Sequence, residues 1–349
     1  MNFSTELSIG KRLGHGQFGA VFLGTDPVHG TVAVKLLSPT PGETPADWAL
    51  RSRELLGEAQ RLKSATHPNV VAVLGVVRHE PTDVLHLVTE LCDGGSLEEE
   101  YQKGPLPLST VKKILTDVSR GLAHVHSCGM VHRDIKPGNL LKHGKVYKVG
   151  DFGLVTDKLL LNYASMKGYL DHLAPEIHRN KVTSARSDIW AFGMTAYRLL
   201  HGSAFYQEYL LPKSGEIPKL IKQGGFAHHL PWLPHIPESW RRFLRCALHD
   251  DAHRRHVSCH DLAQALVGLP VTPAWHCLVA SGSVDWSLKE GVRTVEIGWR
   301  IHSPRKHEWW AERSGGGKRT MLIGGQRGVT VSSSEARQQL EAFFVKMAK

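Results

Sequence analysis

The sequence predicts an α+β fold in which strands come first, helices follow, and a small unit of strands and one helix ends the chain. Short β-like runs dominate residues 7–88, and a segment with helical periodicity at 50–65 interrupts them. Residues 111–126 then carry apolar side chains at helical spacing. From about residue 271 the pattern returns to strands and ends in an amphipathic helix. These three observations predict two successive units.

Length and composition are typical of a globular protein. The chain has 349 residues, of which 41% are hydrophobic and 22% are charged, which is enough for a large core and about two domains. No run reaches the roughly 20 apolar residues that span a bilayer, and we expect neither a membrane segment nor a secretory signal. The five cysteines are odd in number and lack C-x-x-C spacing, which favours free thiols in a reducing compartment such as the cytoplasm.

The charge balance is basic. The formal net charge is +10, which favours anionic partners such as nucleotides, nucleic acid or acidic protein surfaces. The basic residues are spread along the chain, so charge alone gives little support to nucleic-acid binding. The 22 histidines are also spread, without metal-ligand spacing. The motifs therefore carry most of the functional information.

A glycine-rich turn lies between the first two predicted strands. Residues 7–35 are predicted to form three short strands, and Gly14, Gly16 and Gly19 fall in the first turn. Glycines let a backbone approach phosphate oxygens, because they have no Cβ and adopt positive φ freely. A dinucleotide-binding turn would need a helix straight after Gly19, whereas residues 20–25 are β-like. The pattern therefore favours a hairpin.

An acid, a lysine and an amide lie close together in residues 132–139. This segment lies between the predicted helix at 111–126 and a short β-like run, a position where reacting groups are common. Asp134, Lys136 and Asn139 are residue types that phosphoryl transfer needs, since an acid accepts a proton, a lysine neutralises phosphoryl charge and an amide oxygen binds a metal. By itself the segment could also be a polar surface turn, which is the less favoured interpretation.

Together with four further motifs, this segment resembles the catalytic loop of eukaryotic-type serine/threonine protein kinases. The glycine-rich turn, the lysine that ends residues 32–35, the Asp-Phe-Gly at 151–153 and the Ala-Pro-Glu at 174–176 occur in the order and at the spacing of that family. The resemblance covers about residues 7–269.

The resemblance implies a two-lobed kinase fold followed by an accessory domain. A small β-rich N-lobe would take up about residues 1–91, and a larger helical C-lobe about 92–269. Arg255 would pair with Glu176 as a structural contact. Residues 270–349 would form a small α+β accessory domain, for which no family is recognised.

The resemblance also implies ATP as the phosphoryl donor. Lys35 would contact the α- and β-phosphates. Its partner would be Glu58, which lies nine residues before the His-Pro-Asn turn at 67–69, with Glu54 as the alternative.

The adenine would lie against the strand that ends near residue 90. In the family pattern Thr89 stands at the back of the pocket, and the carbonyl of Glu90 and the amide of Cys92 face the adenine edge. The positions that the resemblance assigns to the nucleotide are Gly14, Gly16, Gly19, Val21, Ala33, Lys35, Thr89, Glu90, Cys92 and Leu141.

The catalytic and metal positions follow from the same motifs. Asp134 would orient and deprotonate the acceptor hydroxyl, and Lys136 would steady the γ-phosphoryl group. Asn139 and Asp151 would hold Mg²⁺.

One departure from the family pattern concerns the acceptor. Kinases of this type usually have a threonine that braces the catalytic acid at the position of Tyr169, so the peptide preference is open. Lys136 still favours a serine or threonine acceptor, because tyrosine kinases usually lack a lysine there.

Regulation by phosphorylation is a second hypothesis. Arg133 precedes the catalytic acid, as in kinases that are switched by phosphorylation of the activation segment. Tyr163 and Ser165 are candidate sites, because a phosphate there could pair with Arg133. Both could also be plain loop residues.

The C-terminal unit combines basic groups with tryptophans. Residues 303–307 and 315–319 are basic, with Trp309 and Trp310 between them. Such a pattern is compatible with nucleic-acid binding, but we favour packing of the tryptophans between a sheet and its helix. The predicted strands are 275–280, 293–302, 308–313 and 319–324, and the predicted helix ends near 346.

The sequence therefore predicts a serine/threonine protein kinase that is able to autophosphorylate. The first alternative is a kinase-fold enzyme that acts on a non-protein acceptor, such as RNA or a small molecule. The second is a kinase-shaped binding module. Degenerate kinases usually lose Lys35, Asp134 or Asp151 equivalents, and all three are present here, so the module is the less favoured reading.

Overall fold

The N-terminal strands form a five-stranded antiparallel sheet in the computed structural model, which describes residues 7–16, 19–40, 42–64, 66–79, 84–151, 169–210, 215–316 and 318–348. Its strand order is β1-β2-β3-β5-β4. The valines that alternate along its central strands are buried, as expected of β-branched residues on a packed sheet face. The strands are β1 (Ser8–Gly16), β2 (Gly19–Asp26), β3 (Gly30–Leu37), β4 (Val73–His79) and β5 (Val84–Glu90).

Helix α1 (Pro45–Ser64) packs against this sheet. Thr44 begins it, since its hydroxyl accepts a hydrogen bond from the backbone amide of Asp47 at 3.2 Å. The apolar residues Leu55, Ala59 and Leu62 recur at helical spacing and are buried. The α1 face that they form lies over the sheet, so the helix can shift relative to the strands only by repacking this face.

The described part of residues 92–269 is mostly helical, with one hairpin beside residues 132–139. The predicted β-like run after that segment forms strands β6 and β7, which pair antiparallel. The elements are α2 (Leu97–Lys103), α3 (Leu108–Ser127), β6 (Leu140–His143), β7 (Val146–Val149), α4 (Pro175–Asn180), α5 (Ala185–Tyr209), α6 (Ile217–Gln223), α7 (Glu238–Ala247) and α8 (Cys259–Val267).

Helix α5 is the centre of this lobe. Ser184 caps its N-terminus through a reciprocal bond with Ser187, and Trp190 is fully buried. Gly202 interrupts the helix at φ 74°, where a Cβ would lie 2.5 Å from the carbonyl carbon of Gly104. Only glycine fits this close approach with positive φ.

Within the described residues, no helix is both long enough and apolar enough to cross a membrane.

The predicted pair between Arg255 and Glu176 is confirmed. The guanidinium of Arg255 binds both carboxylate oxygens of Glu176 at 2.8 Å. The arginine side chain is fully buried, so this bidentate contact ties the start of α4 to the segment before α8.

A second five-stranded sheet follows, with the order β12-β11-β10-β9-β8 and antiparallel pairing throughout. The predicted terminal helix forms as α9, and its side chains Ala336, Leu340 and Phe344 are buried. The elements are β8 (His276–Ala280), β9 (Ser283–Glu290), β10 (Arg293–Ser303), β11 (Lys306–Gly315), β12 (Lys318–Val331) and α9 (Ser333–Met347).

Strand β9 is absent from the sequence prediction. Its buried residues Val284, Trp286 and Leu288 alternate with more exposed ones, which is the period of a strand with one packed face. The two-residue turn before it, which contains Gly282, also has a hairpin composition. The pattern was therefore present in the sequence and was missed.

The two tryptophans of β11 lie on opposite faces of the sheet, because successive strand residues alternate. Trp309 donates a hydrogen bond from Nε1 to Oε1 of Gln339 on α9 at 2.7 Å, and its ring meets Phe343 edge to face. Trp310 lies between the guanidinium groups of Arg300 and Arg327, at 4.8 and 4.2 Å from its ring centre. Packing against the helix, the favoured interpretation, thus holds for Trp309.

The second sheet packs directly on the helical lobe. Trp286 donates a hydrogen bond from Nε1 to Nδ1 of His235 at 2.9 Å, and Glu341 on α9 pairs with Arg241 on α7 at 2.8 Å. The ring of Phe344 also lies against His235, with ring centres 5.9 Å apart. One hydrophobic core therefore runs from the helical lobe into the sheet.

His235 makes this junction sensitive to acid. Burial lowers the pKa of His235 from 6.5 to about 3. Between these two pH values His235 is protonated in the unfolded chain and neutral in the folded chain. The stability that His235 contributes is full above pH 6.5 and falls by about 1.4 kcal/mol per pH unit as the pH drops towards 3. We expect His235→Gln, which can still accept from Trp286, to show a shallower loss of stability between pH 7 and 5 in urea unfolding.

The control is His276→Gln, since His276 is exposed on β8. Its pH profile should match that of the wild type. Equal slopes for wild type and His235→Gln would contradict the prediction.

Candidate active site

The loop of residues 132–139 is fixed to α5 by one buried carboxylate. Asp188 accepts hydrogen bonds from the backbone amides of His132 and Arg133, both at 2.8 Å, and lies 2.8 Å from Nε2 of His126. His132 is fully buried and bonds through Nε2 to the carbonyl of Gly150 at 2.9 Å. Arg133 has φ 72°, an unfavourable backbone conformation that these bonds hold in place.

The loop brings Asp134, Lys136 and Asn139 together as predicted. Nζ of Lys136 donates to Oδ2 of Asp134 at 2.6 Å, and Nδ2 of Asn139 donates to the same oxygen at 2.9 Å. The amide nitrogen of Asn139 also bonds to the backbone carbonyl of Asp134 at 2.7 Å. These bonds orient the Asp134 carboxylate and leave the Oδ1 end of Asn139 as the atom suited to a metal.

Lys35 on β3 meets a second carboxylate. Its ammonium forms a short ion pair with Asp151, which follows β7 and has φ 60°. Burial would raise the pKa of Asp151, but the Lys35 charge and hydrogen bond hold it below the ordinary value. Asp151 is therefore an anion at neutral pH.

The predicted partner of Lys35 lies elsewhere. Among the described residues, an ion pair joins Lys35 to Asp151, but none joins it to Glu58. Glu58 lies on α1 and, with Leu55 and Leu62, lines a small apolar cavity under the first sheet. Burial raises the pKa of Glu58 to about 7, against the opposing charge of Arg133. Asp151 thus takes the place at Lys35 that was predicted for Glu58, and the charges near Glu58 are those of Arg133, Arg61 and Glu54.

The first sheet brings four of the predicted nucleotide positions next to one another. Val21 on β2 lies opposite Lys35 on β3, and Ala33 lies opposite Thr89 on β5. Leu141 on β6 is half-buried, and its Cδ1 lies 3.3 Å from the position that a Cβ on Gly150 would occupy.

The segment after β5 connects the two lobes. The Glu90 carboxylate accepts from Nζ of Lys148 and from the backbone amide of Ala72, each at 2.7 Å. Its side chain is thus used structurally, which leaves only its backbone for an adenine. Burial raises the pKa of the neighbouring Cys92 thiol to about 12, so this thiol is neutral.

The glycine-rich turn forms the hairpin predicted for it. Gly16 at the end of β1 lies opposite Gly19 at the start of β2, while Gly14 lies within β1. A Cβ on Gly19 would lie 1.7 Å from the carbonyl oxygen of Leu36, and its φ is 146°, so this position accepts only glycine. The tip of the turn lies outside the described residues, as do Phe152, Gly153 and the candidate phosphorylation sites Tyr163 and Ser165.

The side chains at this site suit a complex of Mg²⁺ with a nucleotide. Mg²⁺ prefers oxygen ligands and usually takes one or two protein carboxylates or amides besides phosphate oxygens. The Asp151 carboxylate and the Asn139 amide oxygen are of this kind. A lysine and a glycine hairpin on the facing sheet are in turn suited to phosphate.

The sequence pattern did not predict one buried cluster beside the site, which consists of Arg198, Asp171 and Tyr206. Arg198 on α5 binds both oxygens of Asp171 at 3.0 and 3.2 Å, and the Tyr206 hydroxyl donates to Asp171 at 3.1 Å. The signal in the sequence was a single arginine within an apolar helix, since a charged residue there requires a partner. Its partner is 27 residues away along the chain and could not be named from the pattern.

Comparison with known proteins shows which family this chain belongs to. Residues 7–266 match the model of the protein kinase domain. Cell division control protein 7 of Schizosaccharomyces pombe is 31% identical over 256 residues, which cover 72% of this chain and 23% of that protein. Serine/threonine-protein kinase 1 of Arabidopsis thaliana is 33% identical over 57% of this chain and 24% of its own length.

A second group of relatives is matched over most of its length. Calcium/calmodulin-dependent protein kinase type 1B of Rattus norvegicus is 30% identical over 274 residues, which cover 76% of each chain. By contrast, the matched part spans about a quarter of the length of the yeast and plant proteins.

Proposed function

Because this chain belongs to the protein kinase family, we propose that it transfers the γ-phosphoryl group of ATP to serine and threonine hydroxyls of proteins. The observation that carries the proposal is the Asp134 carboxylate, which Lys136 and Asn139 hold at one oxygen. The Lys35–Asp151 pair lies near this group, since the charge of Lys136 also lowers the pKa of Asp151.

In the proposed reaction Asp134 orients the acceptor hydroxyl and takes its proton as the new O–P bond forms. The bond between the γ-phosphorus and the β–γ bridging oxygen breaks in the same step, and ADP leaves with that oxygen. Lys136 lies beside Asp134 and stabilises negative charge on the transferred group. Lys35 binds the phosphates of ATP. Asp151 and Oδ1 of Asn139 would hold Mg²⁺, which supplies positive charge to the phosphate oxygens when it is bound.

The Lys35–Asp151 pair implies a rearrangement before catalysis. In kinases the sheet lysine pairs with the helix glutamate while the Asp-Phe-Gly aspartate binds the metal. We infer that α1 moves to bring Glu58 to Lys35, which releases Asp151 for Mg²⁺. Phosphorylation at Tyr163 or Ser165 would be one way to favour this state, through the neighbouring Arg133.

We also propose a preference for serine and threonine acceptors and a cytoplasmic location. Lys136 supports a serine or threonine acceptor, and relatives bear the name serine/threonine-protein kinase. All five cysteines are free thiols, which suits the reducing conditions of the cytoplasm. Nucleic acid is the less favoured partner, because Trp309 packs on α9 and Trp310 is already covered by two arginines.

The test is incubation of the purified chain with γ-labelled ATP and Mg²⁺ in the presence of a peptide library, RNA and small hydroxyl compounds. We expect label on serine and threonine, including sites on the chain itself by mass spectrometry. Asp151→Asn, which removes one negative oxygen from the proposed metal site, serves as the control for contaminating kinases.

If only RNA or small molecules were labelled, the proposed protein acceptor would be wrong and the acceptor would be a non-protein compound. Tight ATP binding without transfer to any acceptor would favour a kinase-shaped binding module.

A further inference from the structure

The ring of Tyr169 lies close to two cations beside the catalytic loop. The ammonium of Lys136 is 5.5 Å from the centre of its ring, and the guanidinium of Arg198 is 4.3 Å from it. Both distances are within the range of cation–π attraction. Lys136 is the residue that donates to Asp134, so the ring of Tyr169 is one contact away from the proposed base.

Neutralisation of the two cations reduces the repulsion between them. Asp171 neutralises Arg198 through bonds at 3.0 and 3.2 Å. Arg198 also stacks on Tyr206 at 3.9 Å, and Asp134 balances Lys136. The two cations at the ring of Tyr169 are therefore both neutralised, Arg198 of α5 by Asp171 and Lys136 by Asp134.

A hydrogen bond fixes the orientation of the same ring. The Tyr169 hydroxyl donates to Oε2 of Glu98, on the first turn of α2, at 3.0 Å. Gly138 lies close to both Glu98 and Lys136, since a Cβ there would be 3.8 Å from Oε2 of Glu98 and 4.0 Å from Cε of Lys136. The ring is thus held from α2 and from α5, and it presents one face to Lys136.

We propose that Tyr169 is a positioning residue for phosphoryl transfer, whose ring holds the Lys136 ammonium against Asp134. The proposal rests on the proposed kinase function for its kinetic consequence. Its structural content, that the ring restrains Lys136, holds whatever the acceptor is.

The kinetic test compares Tyr169→Leu, which removes the ring, with Tyr169→Phe, which keeps it and loses the Glu98 bond. A serine/threonine peptide library with Mg²⁺ and ATP is the probe. We expect Tyr169→Leu to lower kcat by about 10-fold, with the KM for ATP unchanged, and Tyr169→Phe to stay within about 3-fold of the wild type. Trifluorination of the phenylalanine ring, which weakens cation–π attraction at the same shape, should lower kcat again.

A double-mutant cycle separates positioning from general stability. If Tyr169 acts through Lys136, the Tyr169→Leu change has no further effect on kcat in a Lys136→Ala background. An equal loss of kcat in both backgrounds would overturn the proposal.

A chemical readout covers the case in which the wild type transfers no phosphate, which would count against the proposed function instead. Acetylation of lysines in the full chain is followed by mass spectrometry, with the exposed Lys289 as the internal reference. We expect Lys136 to react about 10-fold faster in Tyr169→Leu than in wild type, and faster with the fluorinated ring than with Tyr169→Phe. Unchanged reactivity of Lys136 in all three variants would reject the proposal.

Discussion

Asp134→Asn is expected to abolish most of the phosphoryl transfer while ATP binding is kept. The change replaces one carboxylate oxygen by an amide nitrogen of similar size, so the loop retains its shape. The side chain can then no longer take up a proton, and an amide nitrogen placed at Oδ2 would face the donors of Lys136 and Asn139. Loss of a general base costs about 10²- to 10⁴-fold in rate, and we expect kcat to fall within that range.

The measurement is initial rates beside a nucleotide titration. The dissociation constant for ATP should stay within about 3-fold of the wild type, since Asp134 is not proposed to bind nucleotide. Asp261→Asn is the matched control, because Asp261 is an exposed carboxylate in the same lobe, and its rate should be that of the wild type. Full activity in Asp134→Asn would exclude the proposed mechanism.

Trp286→Ala is expected to destabilise the whole molecule, including the nucleotide cleft. Trp286 is 2% exposed and lies at the junction of the second sheet and the helical lobe. Its ring contacts Trp299 and Phe344, and its Nε1 bonds to His235. Truncation of a buried tryptophan costs about 3–5 kcal/mol, and the His235 nitrogen would lose its donor as well.

Urea unfolding followed by ATP binding and by far-UV circular dichroism tests this. Because one core joins the two units, both signals should fall in a single transition that moves to lower urea in the variant. Leu278→Ala is the control, since Leu278 lies in the same sheet but is 68% exposed. Two separate transitions in the wild type, with the nucleotide cleft unaffected by Trp286→Ala, would refute the prediction.

Local pattern was sufficient for the cluster around Asp134. The chemistry of Asp134, Lys136 and Asn139 is contained in eight consecutive residues, so their spacing along the chain already limits their spacing in the fold. The Arg255–Glu176 pair was found for another reason, namely that it belongs to the family framework. Strand β9 was missed although its alternation is clear.

The contacts that sequence reasoning did not reach depend on distant elements. The sequence offered Glu58, or Glu54 as the alternative, as the partner of Lys35, whereas the structure pairs Lys35 with Asp151. Which acid meets the lysine depends on the position of α1 rather than on residue type. Arg198 and Asp171 meet only because α5 passes under the segment before α4. The junction of the second sheet with α7 likewise joins parts of the chain that no periodicity relates.

The hydrogen bond between Trp286 and His235 has a consequence for how such chains can be recombined. A C-terminal sheet that supplies the donor requires a helical lobe that supplies the acceptor, and Glu341 requires Arg241 in the same way. A chimera that grafts residues 270–349 onto another kinase would therefore have to carry His235 and Arg241 with them. In this protein the helical lobe and the second sheet would therefore have to be transferred together.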